Sequence, residues 1–280
     1  MSGNVESANV ESWSGKARGD ENFPVGSALI SARLRPHVHA YYAFARNADD
    51  IADSPELAPD DKIGRLDVME SVLLGDTDVG SPSALGLRAS LAECGVAPRH
   101  ATDLLIAFRR DATKTRYASW DELLDYCRFS AVPVGRHVLA LHGESEANFP
   151  ASDALCAALQ VLNHLQDIQK DFSALDRCYL PQDLMERCGT GVHDIARTTA
   201  TAGLRRVIDA LLDQCDALNR AGRQLPPGVR DRRLRLETAV IVGLAERLAA
   251  RLRRQDPIAG RVKLSKPDAL AALFAALRYW

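Results

Sequence analysis

The chain has 280 residues, 46% apolar and 26% charged, an ordinary balance for a globular protein able to bury a sizeable core. Its 35 basic and 37 acidic residues leave a formal net charge of −2, which excludes the basic footprint of a nucleic-acid binder. Six scattered cysteines without a CxxC pair read as reduced core thiols, and no unbroken apolar run approaches the roughly 20 residues of a membrane span.

The first 20 residues are polar, lack the apolar centre of a secretion signal, and are expected to form a disordered tail on a cytosolic protein. From residue 21 to 280 the pattern is that of one all-α domain, because helical periodicity recurs and no strand-like alternation of useful length occurs. Helices are expected over about 27–51, 60–74, 83–94, 98–112, 119–142, 151–173, 192–223, 231–255 and 266–279. Their breaks fall on punctuating stretches such as "DSPELAPDD", "HGESEANFP" and "LPPG", and Ser119, Asp153 and Ser265 stand where helices begin. Gly135 and Pro133 lie inside the fifth helix, where both are unfavourable, and predict a kink.

Two helices, "VHAYYAFARNADDIAD" and "ALCAALQVLNHLQDIQKDF", are apolar nearly all round, the mark of central burial. The first carries Asp49 and Asp53 one turn apart, with Asp50 beside them and Arg46 one turn earlier. The second carries Asn163, Asp167 and Asp171 at i, i+4 and i+8, with Gln160 a turn before Asn163. A single DxxxD is commonly a solvated helix face, but two such pairs, each ending an apolar helix, are a different matter. Clustered carboxylates repel each other unless cations compensate, and magnesium takes hard oxygen ligands shared with substrate phosphates. The pattern therefore points to Asp49, Asp53, Asn163, Asp167 and Asp171 as ligands of Mg2+, with a diphosphate as partner and Asp50 as a secondary acceptor. Arg46, Lys263 and Lys266 are candidate diphosphate contacts, the two lysines reading equally well as a solvated basic segment. Small Ala43, Ala131 and Ala157 leave room for long chains, and Tyr42, Phe44, Tyr126 and Phe129 are candidates to face a cation, Phe44 and Phe129 being better read as core.

"YYAFARNADDIAD", "YCRFSAVPVGRHVL", "LNHLQDIQKDFSALDRCYLP" and "GRVKLSKP" resemble the squalene and phytoene synthase family, from about residue 21 to the end of the chain. "ENFPVGS" and "SAVPVGR" are similar to one branch of it, the hydroxysqualene synthases of bacterial hopanoid biosynthesis. The resemblance implies an isoprenoid synthase helical bundle around a central apolar cavity, whose two facing acidic helices bind three magnesium ions and a prenyl diphosphate. It implies presqualene diphosphate as substrate and water as the quencher, with no NADPH. Functional coupling to an enzyme that makes presqualene diphosphate is implied as well. Tyr42 and Tyr126 match the family's active-site tyrosines, and Asn22 and Phe23 would close the diphosphate end. Gln160 is a candidate to position the water. Where many relatives carry arginine just before the second acidic motif, this chain has Gln166.

The rival within the fold is a head-to-head prenyltransferase making presqualene diphosphate, squalene or phytoene from allylic diphosphates. The rival outside it is a non-catalytic helical scaffold, against which the intact acids argue. "DALAALFAALRYW" is a candidate for lying peripherally on a membrane, with packing on the bundle as the preferred alternative.

Overall fold

A computed structural model of the chain describes residues 9–11 and 29–280, so Asn22 and Phe23 lie outside the described residues. Among these, the regular elements are all helical, with a single isolated bridge between Arg116 and Cys178. The chain divides into two compact units, residues up to Thr113 and residues from Lys114.

The first unit is built on α1 (Arg35–Asp53), α2 (Pro59–Leu74), α3 (Pro82–Cys94) and α4 (Arg99–Asp111). Prolines open the first three, at positions where a missing N–H leaves no bond unmade. The first helix starts at Arg35, several residues later than its apolar pattern suggests, because Ser31–Leu34 forms a turn whose carbonyls take the first helical N–H groups. α1 packs against each of the other three helices. Phe44, Ile51, Leu66, Met69, Leu73, Leu87, Leu104 and Leu105 fill the core, each worth about 1.5–3 kcal/mol in removed apolar surface. Phe44 is thus core, as its apolar setting indicates.

Inside the segment expected to be a disordered tail, residues 9–11 are bound to this unit. The Val10 N–H donates to the Gly80 carbonyl at 2.9 Å, and Arg65 donates to the Val10 carbonyl at 2.9 Å. The Glu11 carboxylate accepts from the hydroxyls of Ser81 and Ser83 at 2.6 Å each and from the Ser83 N–H at 2.7 Å, at the start of α3.

The second unit centres on α7 (Phe149–Leu175), 27 residues long. Around it pack α5 (Trp120–Ser130), α6 (Val132–Leu141), α9 (Ala202–Gly222) and α11 (Arg232–Arg254), and α12 (Lys266–Ala276) lies on α11. Two short pieces, α8 (Gln182–Arg187) and α10 (Leu225–Gly228), fill the connections. The helix expected over 119–142 is broken at Ala131 (φ −124°, ψ −42°), and Pro133 falls in the first turn of the second half, where it is tolerated. Gly135 has a packing reason: a Cβ there would meet the Ser152 Oγ at 2.5 Å and the Cys156 Sγ at 2.6 Å, both on α7.

The helix expected over 192–223 is likewise divided. Val192–Ala196 is a 3-10 turn, and α9 begins afresh after Thr201, whose hydroxyl accepts from the Leu204 N–H at 3.1 Å. All six cysteines are free, with Cys127, Cys178 and Cys215 buried. No helix among the described residues is long and apolar enough to cross a membrane.

Candidate functional site

The first acidic stripe occupies the last two turns of α1. Arg46 reaches forward to both acids that follow it, its Nη2 lying 2.6 Å from the Asp49 Oδ2 and 2.7 Å from the Asp50 Oδ1. Its Nε donates to the same Asp50 oxygen at 3.0 Å. Asp50 is buried against this guanidinium, whereas the Asp49 side chain is 33% exposed. Asp53 is half-buried one turn further on. The helix end is fixed by Lys62, whose ammonium donates to the Ala52 carbonyl at 2.9 Å and places a cation at the negative end of α1. Tyr42 is half-buried on the same helix.

The second stripe runs along the C-terminal half of α7. Asn163, Asp167 and Asp171 are all half-buried there. Arg261 pairs with Asp167 through two contacts, Nε to Oδ1 at 2.6 Å and Nη2 to Oδ2 at 3.0 Å, the fork geometry that makes such pairs strong. Gln166 is buried and donates to the Val262 carbonyl at 2.6 Å. It thereby anchors the segment that delivers Arg261, so a positive charge reaches this stripe from another part of the chain. Lys263 and Lys266 are exposed, and Lys266 begins α12.

Beside the stripe stands an aromatic cluster in the same unit. The rings of Tyr117, Tyr126 and Tyr179 lie 5.3–5.8 Å apart, and His164 stacks on Tyr179 at 3.4 Å. Periodicity directs His164 away from the metal stripe, yet its Nδ1 comes within 4.0 Å of the Asp171 Oδ2. That contact is not an ion pair, because burial, aided by the Arg177 charge, pushes the His164 imidazole down to about 3. Gln160 lies 3.2 Å from the His164 Nε2 through its side-chain nitrogen, so the ring holds the amide in place. Tyr126 is buried in the cluster, and Phe129 is half-buried on the same helix, α5.

Arg261, Tyr117, Tyr179 and His164 had no claim from spacing alone. Arg261 lies in the quoted "GRVKLSKP" run, where the two lysines drew notice first.

The donor set suits magnesium. The residues are aspartate carboxylates and one amide, hard oxygens only and partly exposed, with Asp49 and Asp167 each lying against a guanidinium. Among the described residues, no three histidine, cysteine, aspartate or glutamate side chains stand together as a ready cage.

The sequence profile of the squalene/phytoene synthase family matches residues 16–268. The chain is 46% identical to the hydroxysqualene synthase of Rhodopseudomonas palustris over 264 residues, 94% of this chain and 90% of that one. It is 45% identical to the hydroxysqualene synthase of Sinorhizobium fredii, over 90% of this chain and 86% of that one. The crystal structure of squalene synthase HpnC from Alicyclobacillus acidocaldarius superposes with a TM-score of 0.73 at 36% identity, covering 82% of this chain and 87% of that one. The fold is the all-α isoprenoid synthase fold, and the chain belongs to the squalene/phytoene synthase family, enzymes that act on prenyl diphosphates.

Proposed function

We propose that this chain is a hydroxysqualene synthase: it ionises presqualene diphosphate, lets the resulting carbocation rearrange, and captures it with water. The observation that carries the proposal is the 46% identity to a hydroxysqualene synthase along 94% of the chain. It is supported by intact acids at every position of both stripes, a retention that a non-catalytic scaffold would not require.

Asp49 and Asp53 on α1 and Asn163, Asp167 and Asp171 on α7 would hold magnesium, with the buried Asp50 keeping Arg46 in place. Bound magnesium supplies Lewis-acid neutralisation of the diphosphate. The substrate's C–O bond breaks with both electrons leaving on the diphosphate oxygen. Arg46 and Arg261, each paired with an acid, supply fixed positive charge for that leaving group. Water then forms the new C–O bond and loses a proton to give hydroxysqualene. Gln160, held by a neutral His164, orients that water, while Tyr42, Tyr126 and Phe129 face the cationic carbon skeleton with their rings.

Incubating the purified chain with presqualene diphosphate and Mg2+ in 18O-labelled water tests the proposal. Labelled hydroxysqualene without NADPH is the expected product. Squalene appearing only with NADPH, or turnover of farnesyl diphosphate but not presqualene diphosphate, would replace this reading with the prenyltransferase one.

A further inference from the structure

The C-terminal helix is packed the wrong way round for an element that belongs only to the protein core. The faces of α12 that meet the second unit are its small ones: Ala272 and Ala276 are each 1% exposed. Opposite, on α11, Gly243 allows a close approach, since a Cβ there would stand 3.2 Å from the Ala272 Cβ. The large apolar side chains point out. Leu270, Leu273, Phe274 and Leu277, spaced i, i+3, i+4 and i+7, form one exposed stripe in which Phe274 is 70% exposed, and Trp280 beyond it is 63% exposed. An ordinary surface helix buries its leucines and exposes its alanines. A contiguous stripe of this kind marks a surface that something else covers.

Charge indicates what covers it. Residues 251–280 carry seven basic and two acidic side chains, against 28 and 35 in the preceding 250 residues, so the positive charge of the chain is concentrated here. One of the two acids, Asp268, is occupied within the helix start by Ser265 at 2.6 Å and by Arg251 at 2.7 Å. Arg251, Arg253 and Arg261 are paired with acids, whereas Lys263 and Lys266, before and at the start of α12, and Arg278, just after it, are exposed. A second copy of the chain meeting this face symmetrically would set these cations against their own counterparts, which disfavours a self-association surface. The stripe lies on the exposed side of a single helix, with an indole at its end and cations beside it, the composition of an element lying in a lipid interface.

We propose that the outward face of α12, from Leu270 to Trp280, docks the protein onto bilayers containing anionic lipid. The Leu and Phe side chains enter the boundary between headgroups and acyl chains, while Lys263, Lys266 and Arg278 face lipid phosphates. The docking does not depend on which reaction the acidic stripes perform.

Co-sedimentation of the full chain with phosphatidylcholine vesicles, with and without phosphatidylglycerol, tests it. Binding to the anionic vesicles is expected, weakening as salt is raised. The double substitution L270E/F274E should lower the partition coefficient by at least about tenfold, and K263Q/K266Q should flatten the salt dependence. These side chains are exposed, so circular dichroism and the melting temperature should be unchanged. A second measurement on the unsubstituted helix covers the case of a misfolded variant: in a W13F/W120F background, Trp280 emission should shift to the blue on adding anionic vesicles. Absence of sedimentation and of any emission shift at low salt overturns the proposal. So does light scattering that shows a dimer dissociated by L270E/F274E, because the stripe then belongs to a second copy.

Discussion

Asp49 and Asp167 each lie against a guanidinium, and solvent still reaches each of them. Exchange of either carboxylate for an amide keeps the shape and removes the charge. D49N and D167N should each lower kcat with presqualene diphosphate by at least about two orders of magnitude, the scale of losing one preorganised charge partner of a transition state. Steady-state assays at saturating Mg2+ check this, and unchanged rates would remove the acids from the chemistry. His164 offers a test on stability. Its ordinary value of 6.5 falls to about 3 in the folded protein, so between these values the unfolded chain binds a proton that the folded chain refuses. The stability linked to the neutral ring is complete above about pH 6.5 and is lost as pH falls towards about 3. H164F, which keeps a flat ring against Tyr179, should therefore reduce the loss of melting temperature across that window. An unaltered profile would mean that the ring does not titrate with folding. Asp49, Asp53, Asp167 and Asp171 were legible because i, i+4 spacing is local. Arg261 was not, because its meeting with Asp167 spans 94 residues and depends on how the segment after α11 folds back.

At the level of elements, helical periodicity located α2, α3, α4, α7 and α11 to within a few residues, because an apolar stripe repeats over many turns, but it began α1 several residues too early. It missed α8, whose six residues are too short to show a period, and it ran α9 together with the preceding 3-10 turn because both share polar and apolar residues in similar rhythm. The interruption between α5 and α6 was written in Pro133. The neighbouring glycine has its own constraint, since its α-hydrogen side faces Ser152 and Cys156. G135A should destabilise the second unit by about 1–3 kcal/mol, the usual cost of overpacking, despite the better helix propensity of alanine. Chemical denaturation measures this, and a variant as stable as the parent would show that α6 and α7 have room to separate.

For the whole molecule, the scattered cysteines read as reduced thiols, and the six are free. Burial pushes the Cys127 thiol up to about 12 and the Cys156 thiol up to about 11, so neither is a thiolate near neutrality. Maleimide labelling of the folded protein should leave Cys127, Cys178 and Cys215 unmodified, whereas labelling in denaturant should count six. Reducing agents should not move the melting temperature; a clear shift would reveal a bridge. Glu11 carries a last consequence. Its carboxylate closes the first turn of α3 from outside, touching two serines and an amide at the electropositive end of that helix. Proteolytic trimming of the first dozen residues therefore takes away a clasp some seventy positions downstream. An affinity tag joined close to residue 9 would act on a helix that, along the chain, has no visible connection to it.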